Sequence, residues 1–412
     1  MEAIHLPQIE GIRIQNYGVL KNIQLGKLWN TNDIPLTHLV AVIGENGTGK
    51  STIFDAFGFI SDCLSKGVED ACYANGRGGF EKIRSKDTTE PIRFEIYYRQ
   101  EKDSRPITYE ISINIDETGK AFVESERLRQ RRKNQSTGYP YSFLILNNGH
   151  GRVWKGDYLE GVGGEEAASI EVNLADTNYL GITTLGQLTE HPRIVQFRSF
   201  INGWYMSYFS PDSARELPMA GPQRHLNRKG DNLSNVIQYL ERRDSKTLNA
   251  ILDRITKKIK GLASIRTEPL NDGRLALCFY ENGFSTPHYA QRMSDGTLKI
   301  FSYMLLLEDE DLAPFICIEE PENGLYHSLL KTLAFEFKQK AENLKSKSQI
   351  FITTHSSYFI DALRPEEVWI LAKQDDGFSS IKRASSLPYV NELVNSGIDL
   401  GDLWYSDYLS DR

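Results

Sequence analysis

The sequence predicts an α/β protein in which a mixed central sheet is flanked by helices and joined to an antiparallel β subdomain and an inserted helical and β region. Three observations predict this fold. A buried strand, a glycine-rich loop and a helix follow one another between residues 37 and 64. Alternating strands dominate residues 90–175, and apolar strands alternate with helices again in the last third of the chain.

Composition limits the classes of protein to which the chain can belong. Its 412 residues correspond to two or three domains of about 150 residues each. The 40% hydrophobic and 25% charged composition is typical of a globular protein and excludes disorder and small disulfide scaffolds. A net charge of -7 excludes an overall basic coat for nucleic acid. Because no signal peptide or long apolar stretch is present, we expect a cytoplasmic protein that does not contact a membrane.

The run from Gly44 to Ser51 fits the pattern GxxxxGK[ST] and lies between the predicted strand and helix. Its glycines let backbone N–H groups turn toward phosphate oxygens, Lys50 reaches the β and γ phosphates, and Ser51 offers a hydroxyl to Mg²⁺. The alternative is a fortuitous glycine-rich turn, which the flanking strand and helix disfavour. We therefore predict ATP and Mg²⁺ as ligands, with contacts from Gly44, Glu45, Asn46, Gly47, Thr48, Gly49, Lys50, Ser51 and Thr52.

Two carboxylates, Glu319 and Glu320, follow the apolar run at residues 315–318. Successive side chains of a strand point to opposite sides, so Glu319 is predicted to hold Mg²⁺ while Glu320 orients or deprotonates the attacking water. The alternative is a strand that ends in solvated acids before the turn at Pro321.

A second apolar strand, residues 349–354, delivers His355 to the same edge of the sheet. A single histidine at a strand end is more often without function. Its position after the two acids favours a catalytic role, in which the ring hydrogen-bonds the γ-phosphate.

Together with the Ser-Asp-Gly-Thr turn that begins at Ser294, this order of motifs resembles the ABC-type ATPase head, a P-loop NTPase, in the branch of RecF, the SMC and RecN proteins and the OLD-type ATPases. Within that branch the chain is most similar to stand-alone bacterial ATPases of the AAA_21 or AAA15-like group. This finer similarity is carried by residues 77–84, 209–215, 319–325 and 400–404.

The resemblance implies that residues 293–298 form the signature turn, in which Ser294 and Gly296 contact the γ-phosphate bound by the other subunit. Two nucleotides are then sandwiched in a head-to-tail homodimer, and a higher oligomer is also compatible. Met293 and Asp295 depart from the family's Leu-Ser-Gly-Gly pattern.

Three further positions follow from the resemblance. Asn323 belongs to the segment that communicates across the dimer, and Arg13 and Asn16 in the first hairpin lie near the nucleotide. Glu319 stands where the family usually has Asp, and no glutamine is assigned to the Q-loop.

The motif order predicts one split head with an insertion. We expect an N-terminal lobe at residues 1–85, a β-rich subdomain with loops at 86–175, a helical insertion or lid at 176–284 and a C-terminal lobe at 285–412. The glycines at residues 161–164 predict a linker-like break.

Two basic runs are candidate contacts for the phosphate backbone of DNA. Residues 127–133 hold five basic residues, and residues 241–266 hold eight basic against three acidic residues. The alternative is a solvated face in each case, and the residues leave this choice open.

Similar stand-alone ATPases often act beside a separate effector in anti-phage defence, so the resemblance implies an ATP-gated dimeric switch that controls an effector or nuclease protein. The residues after His355 are too few for the nuclease domain that OLD-type proteins carry there. A DNA repair or recombination ATPase of the RecF type and an ATP-dependent scaffold without nucleic-acid contact remain alternatives.

Overall fold

The computed structural model describes residues 7–132, 135, 137–154, 169–243, 245–259, 261–343 and 348–409. The linker-like break predicted at residues 161–164 lies outside them. The strands, numbered along the chain, are β1 Gln8–Tyr17, β2 Leu20–Gly26, β3 Leu39–Ile43, β4 Ile92–Arg99, β5 Ile107–Ile115, β6 Ala121–Gln130, β7 Tyr141–Asn147, β8 His150–Trp154, β9 Ser169–Asn173, β10 Trp204–Ser207, β11 Leu262–Pro269, β12 Leu275–Glu281, β13 His288–Tyr289, β14 Phe315–Glu319, β15 Gln349–Thr354, β16 Val368–Lys373 and β17 Ser379–Arg383.

The helices differ widely in length. They are α1 Lys50–Lys66, α2 Val68–Tyr73, α3 Phe80–Ile83, α4 Gly181–Leu185, α5 Pro192–Asn202, α6 Pro211–Ala214, α7 Leu233–Arg243, α8 Ser245–Thr256, α9 Asp295–Leu307, α10 His327–Glu342, α11 Ser357–Ile360, α12 Pro388–Asn395 and α13 Leu400–Tyr405. Across the described ranges, none of the helices has both the length and the apolar character needed to cross a membrane.

The strands in the described part of the chain form three sheets. The largest is antiparallel, with eight strands in the order β2-β1-β4-β5-β6-β7-β8-β9, and the smallest pairs β11-β12-β13. The six-stranded sheet has the order β10-β14-β15-β3-β16-β17, and all of its neighbouring strands are parallel except β16 and β17. The predicted fold class is confirmed. The segment boundaries at residues 85, 175 and 284 stay predictions, although β10 joins the six-stranded sheet and β1 and β2 join the antiparallel one.

Helix α1 packs between the two large sheets. On one side the ring of Phe57 lies 5.0 Å from that of Phe315 and 4.9 Å from that of Phe351, both on the parallel sheet. On the other side Phe59 contacts the ring of Tyr17 at 5.5 Å. The helix that follows the glycine-rich loop is therefore held on both faces by aromatic packing, which fixes the position of its first turn.

The short strand β3 is buried on both sides, as its continuous apolar run predicts. Its Val40 and Val42 belong to the core that contains α1, whereas Leu39 and Ile43 belong to the core on the opposite face. Register then places the strand ends together, because Glu319 pairs with Thr353 and Thr354 pairs with Ile43. The carboxyl ends of β14, β15 and β3 thus meet at one edge, called the rim below.

Candidate nucleotide-binding site

The phosphate loop, residues 44–51, joins β3 to the first turn of α1. Gly47 and Gly49 have φ values of 81° and 102°, a left-handed region that disfavours side chains. The loop is held from outside by the Ser379 hydroxyl, which donates to the Thr48 carbonyl at 2.6 Å. A glycine loop in this conformation at the start of a 17-residue helix presents backbone N–H groups to an anion.

The side chain of Lys50 is buried under this loop, with 4% of its surface exposed. Its Nζ donates to the carbonyl oxygens of Gly44 at 3.0 Å and Glu45 at 3.1 Å, and it lies 3.7 Å from Oε1 of Glu320. The ammonium group therefore lies between the loop and Glu320, where a phosphate would complete its contacts.

The acid turn, residues 319–325, follows β14. Glu319 is the last residue of the strand, and its carboxylate accepts a hydrogen bond from the Ser51 side chain. Burial raises the pKa of Glu319, and the Ser51 hydrogen bond opposes that rise. A carboxylate at a strand end and the hydroxyl of the residue after the P-loop lysine are the oxygen ligands that P-loop proteins offer to Mg²⁺, so the residues present fit the ion.

Glu320 has a different environment one residue later. Its φ of 40° places a non-glycine residue in the left-handed region, and its N–H donates to the Thr353 carbonyl at 2.9 Å. Partial burial opposes its ionisation, but the hydrogen bond from Asn323 Nδ2, 2.9 Å long, and the nearby charge of Lys50 outweigh burial and lower the pKa of Glu320. The carboxylate is therefore ionised at neutral pH and able to accept a proton.

His355 follows β15 at the same rim. Its Nδ1 lies 3.2 Å from Oε1 of Glu322 and 3.6 Å from Oε1 of Glu320, and 46% of its side chain is exposed. Glu322 is a residue that the sequence analysis did not assign. In the sequence Glu322 is only the third acid of a Glu-Glu-Pro-Glu run, and such a run by itself is typical of a solvated turn.

The signature turn, residues 293–298, begins α9. Ser294 is the N-cap, and its Oγ accepts from the Thr297 N–H at 3.2 Å. Gly296 packs on the acid turn so closely that a Cβ at this position would lie 2.8 Å from the Gly324 carbonyl oxygen. The side chain of Ser294 is exposed, so its hydroxyl is accessible from outside the chain.

Two basic residues that the sequence analysis did not assign support these turns. Arg215 donates to the Met293 carbonyl at 2.9 Å and pairs with Asp295, which ties the inserted segment to the signature turn. Lys299 is buried in α9, and its Nζ donates to the Asn323 carbonyl at 2.8 Å. Lys299 lies on the helix that Ser294 caps, and it reaches the acid turn only because the folded chain packs α9 against that turn.

The structure places Arg13 and Asn16 on β1. Arg13 donates to Glu95 at 3.1 Å and to Gln24 at 2.8 Å, while the Asn16 amide donates to the Pro91 carbonyl at 2.9 Å. The β1–β2 turn does reach α1, because a Cβ at Gly18 would lie 2.8 Å from the Thr52 side chain. A role near the nucleotide stays a prediction for both residues.

The two basic runs differ in how far their side chains are paired and buried or exposed to solvent. In the first, Arg129 is buried and paired with Glu110 and Glu95, and Arg131 donates to the Trp29 carbonyl; Lys133 lies outside the described residues. These contacts disfavour the first run as a continuous DNA-binding surface.

The second run, residues 241–266, lies on α7, α8 and β11. Arg254 pairs with Glu308 and Lys258 with Glu336, but exposed basic side chains are also present at Arg242, Arg243, Lys246, Lys257 and Arg266. Asp244 and Lys260 lie outside the described residues. This run, unlike the first, therefore presents a basic surface.

Comparison with known proteins agrees with this geometry. The profile of the family AAA_21, described as "AAA domain, putative AbiEii toxin, Type IV TA system", matches residues 39–361. An SMC head bound to the C-terminal winged-helix domain of ScpA superposes with a TM-score of 0.52 at 14% identity, covering 91% of this chain and 96% of that chain. No curated protein matches the sequence.

Two further SMC heads give lower scores. One, from Pyrococcus furiosus, carries an extended coiled coil and is bound to the C-terminal domain of ScpA; it has a TM-score of 0.48 at 15% identity and covers 95% of this chain and all of that one (100%). The other, from Thermotoga maritima, has a TM-score of 0.43 at 14% identity and covers 91% of this chain and 98% of that one.

Proposed function

Because the chain belongs to the AAA_21 family of AAA domains and has the fold of an SMC head, we propose that it is a Mg²⁺-dependent ATPase that works as an ATP-gated dimeric switch. One observation carries the proposal: Lys50 Nζ and His355 Nδ1, from two separate elements, both lie within 4 Å of the Glu320 carboxylate, which follows a third element. A lysine that binds phosphate beside a carboxylate that can orient or activate water is an arrangement that serves phosphoryl transfer to water.

The phosphate loop and Lys50 bind the phosphates in this proposal. Ser51 and Glu319 would hold Mg²⁺, which supplies positive charge to the β and γ phosphate oxygens when bound. Glu319 is one methylene longer than the aspartate usual in similar proteins, and its hydrogen bond to Ser51 holds the longer side chain toward the loop.

Glu320 acts as the general base. Its carboxylate takes a proton from water as the water oxygen bonds to the γ phosphorus, and the bond from that phosphorus to the bridging oxygen breaks to release ADP. The lowered pKa of Glu320 keeps the carboxylate ionised for this step, and Asn323 fixes its orientation through Oε2. In this proposal His355 contacts the γ-phosphate.

A second subunit completes each site in the proposed mechanism. Ser294 is exposed at the N-terminus of a 13-residue helix, the kind of position that binds an anion. Arg215 and Lys299 hold that turn in place in its own subunit. ATP would then join two heads, and hydrolysis would release them.

We propose that a separate effector or nuclease protein in anti-phage defence responds to the ATP-dependent change between separate and joined heads. The family description and the protein partner bound to the similar SMC head support a protein-controlled switch. The basic surface of residues 241–266 favours one alternative, a DNA repair ATPase of the RecF type, whose test is salt-dependent DNA binding that Arg242→Ala and Arg243→Ala weaken. An ATP-dependent scaffold would dimerise without any such affinity.

The central test is Glu320→Gln, which keeps the side-chain volume and removes the base. We expect ATP binding within about twofold of the parent, hydrolysis reduced by roughly 100-fold or more, and accumulation of an ATP-bound dimer in light scattering. A variant that binds ATP but stays strictly monomeric would refute the dimeric switch, and hydrolysis at the parent rate would refute the base assignment.

Complementation tests the action of Ser294 on the other subunit. Lys50→Ala cannot bind nucleotide and Ser294→Ala cannot complete the partner's site, so each variant alone is expected to be inactive. Mixing the two should restore up to one competent site per dimer. No recovery at any mixing ratio would contradict the shared site.

A further inference from the structure

Glu322 lies in the acid turn with only 4% of its side chain exposed. Its Oε1 accepts two hydrogen bonds from the end of β15, one from the Thr354 hydroxyl at 2.8 Å and one from the His355 backbone N–H at 2.7 Å. These bonds join the turn after β14 to the turn after β15. They also leave little freedom for the carboxylate to move.

A purely structural role does not require a charge at this position. A glutamine oxygen could accept the same two hydrogen bonds, and burying a carboxylate costs more free energy than burying an amide. What the charge faces is the ring of His355, whose Nδ1 lies 3.2 Å from Oε1 of Glu322. The two hydrogen bonds therefore do not explain the charge of Glu322, which faces the ring of His355 and also lies near the buried ammonium group of Lys299.

The ring has two carboxylates on the same side. Glu320 Oε1 lies 3.6 Å from the same Nδ1. A lone pair on Nδ1 would be repelled by both acids, so Nδ1 carries the proton and Nε2 is the nitrogen available to a nucleotide. The 46% exposure of the His355 side chain agrees with an Nε2 that is open to the rim.

We propose that Glu322 is a positioning residue for His355: it anchors the end of β15 and holds the ring with Nδ1 toward the acids, so that Nε2 meets the nucleotide. This inference rests on the proposed function, in which His355 contacts the γ-phosphate. In this proposal Glu322 itself contacts neither the phosphate nor the attacking water. Its effect on turnover passes through the histidine.

The kinetic test compares Glu322→Gln and Glu322→Ala with the control Glu367→Gln. Glu367 is equally buried, at 1% exposure, and binds Arg364 and Lys338 away from the rim. We expect kcat to fall about tenfold in both Glu322 variants with the KM for ATP within about twofold of the parent, and no change in kcat for Glu367→Gln. Parent kcat in Glu322→Gln, or an equal loss in the control, would overturn the proposal.

The ring itself is followed by ¹⁵N spectra of the histidine side chains, with His355→Gln used to assign the signal. The parent protein should show His355 as the Nδ1-protonated species, and Glu322→Ala should shift it toward the Nε2-protonated form that free histidine prefers. An unchanged His355 signal would overturn the inference. Because these spectra need no turnover, they separate its failure from that of the ATPase proposal, which is read from hydrolysis by the parent.

Discussion

Charged side chains serve different purposes in the two large sheets. At the rim of the parallel sheet, Lys50 begins α1, Glu320 follows β14 and His355 follows β15. The side chains of Lys50 and His355 both lie within 4 Å of the Glu320 carboxylate. In the antiparallel sheet, arginines and glutamates face each other from neighbouring strands, as Arg13 does with Glu95. A charged side chain in the middle of a strand is neutralised by its cross-strand partner. Charged side chains at strand ends instead converge and keep room for a further partner, so they can act on a ligand.

Glu126, an acid of the antiparallel sheet, differs from the acids of the rim in its surroundings. It is buried on β6, where it accepts hydrogen bonds from the Ile182 N–H at 3.0 Å, the Gly181 N–H and the Tyr109 hydroxyl at 3.0 Å. Burial raises the pKa of Glu126 to about 7, and these hydrogen bonds oppose the rise. A strongly shifted acid is therefore not by itself a catalytic one, because every donor around Glu126 belongs to the scaffold.

The largest expected effect is the loss of nucleotide binding when the rim is changed. Lys50→Ala should abolish nucleotide binding, since the phosphate loop loses its cation, while the exposed Lys86→Ala should bind as the parent does. Titration calorimetry with ATP and Mg²⁺ measures both. If Lys50→Ala hydrolysed ATP at the parent rate, the assignment of the rim as the active site would be wrong.

The next largest expected effect is a loss of stability when an ion pair of the antiparallel sheet is removed. Arg129→Ala leaves Glu110 without its buried partner, whereas Glu95 keeps Arg13, and the change should cost about 3 kcal/mol of stability, the low end for breaking a buried ion pair. The exposed Arg242→Ala should change stability by less than about 0.5 kcal/mol. Urea unfolding compares the two, and equal stabilities would contradict a structural role for Arg129.

The smallest effect is a pH dependence at Glu126. Its folded pKa of about 7 exceeds the ordinary value of 4.5, so its contribution is complete below about pH 4.5 and is lost as pH rises through about 7. The shift corresponds to a loss on the order of 3 kcal/mol. Glu126→Gln should remove this part of the pH dependence between about pH 4.5 and 7, measured as the difference in melting temperature from the parent. A constant difference across that range would count against it.

Local motifs predicted much of the fold and the candidate site. The strand, loop and helix around Lys50, the strand that ends at Glu319 and the strand before His355 all lie within short segments whose pattern is visible without neighbours. The resemblance to ABC-type heads drawn from these motifs is confirmed by the family and by the fold. The roles of the individual site residues stay predictions.

Contacts between distant segments were not predictable in the same way. Arg129 looked like part of a basic surface in the sequence, but its strand partners place it against Glu110. Glu322 and Lys299 looked like an ordinary turn acid and an ordinary helix lysine. Their partners, His355 and the Asn323 carbonyl, lie 33 and 24 residues away along the chain.

The sequence alone predicted a nucleotide-binding loop and determined the order of the motifs, because a glycine loop, its lysine and the acids after an apolar strand carry their chemistry in adjacent residues. The tertiary structure alone decided which charges are free to act. Burial and nearby partners decide whether the pKa of a carboxylate is raised, as that of Glu319 is, or lowered, as that of Glu320 is. Those partners lie at the start of α1, in the acid turn and after β15, and the register of β14, β15 and β3 brings these segments together at the rim.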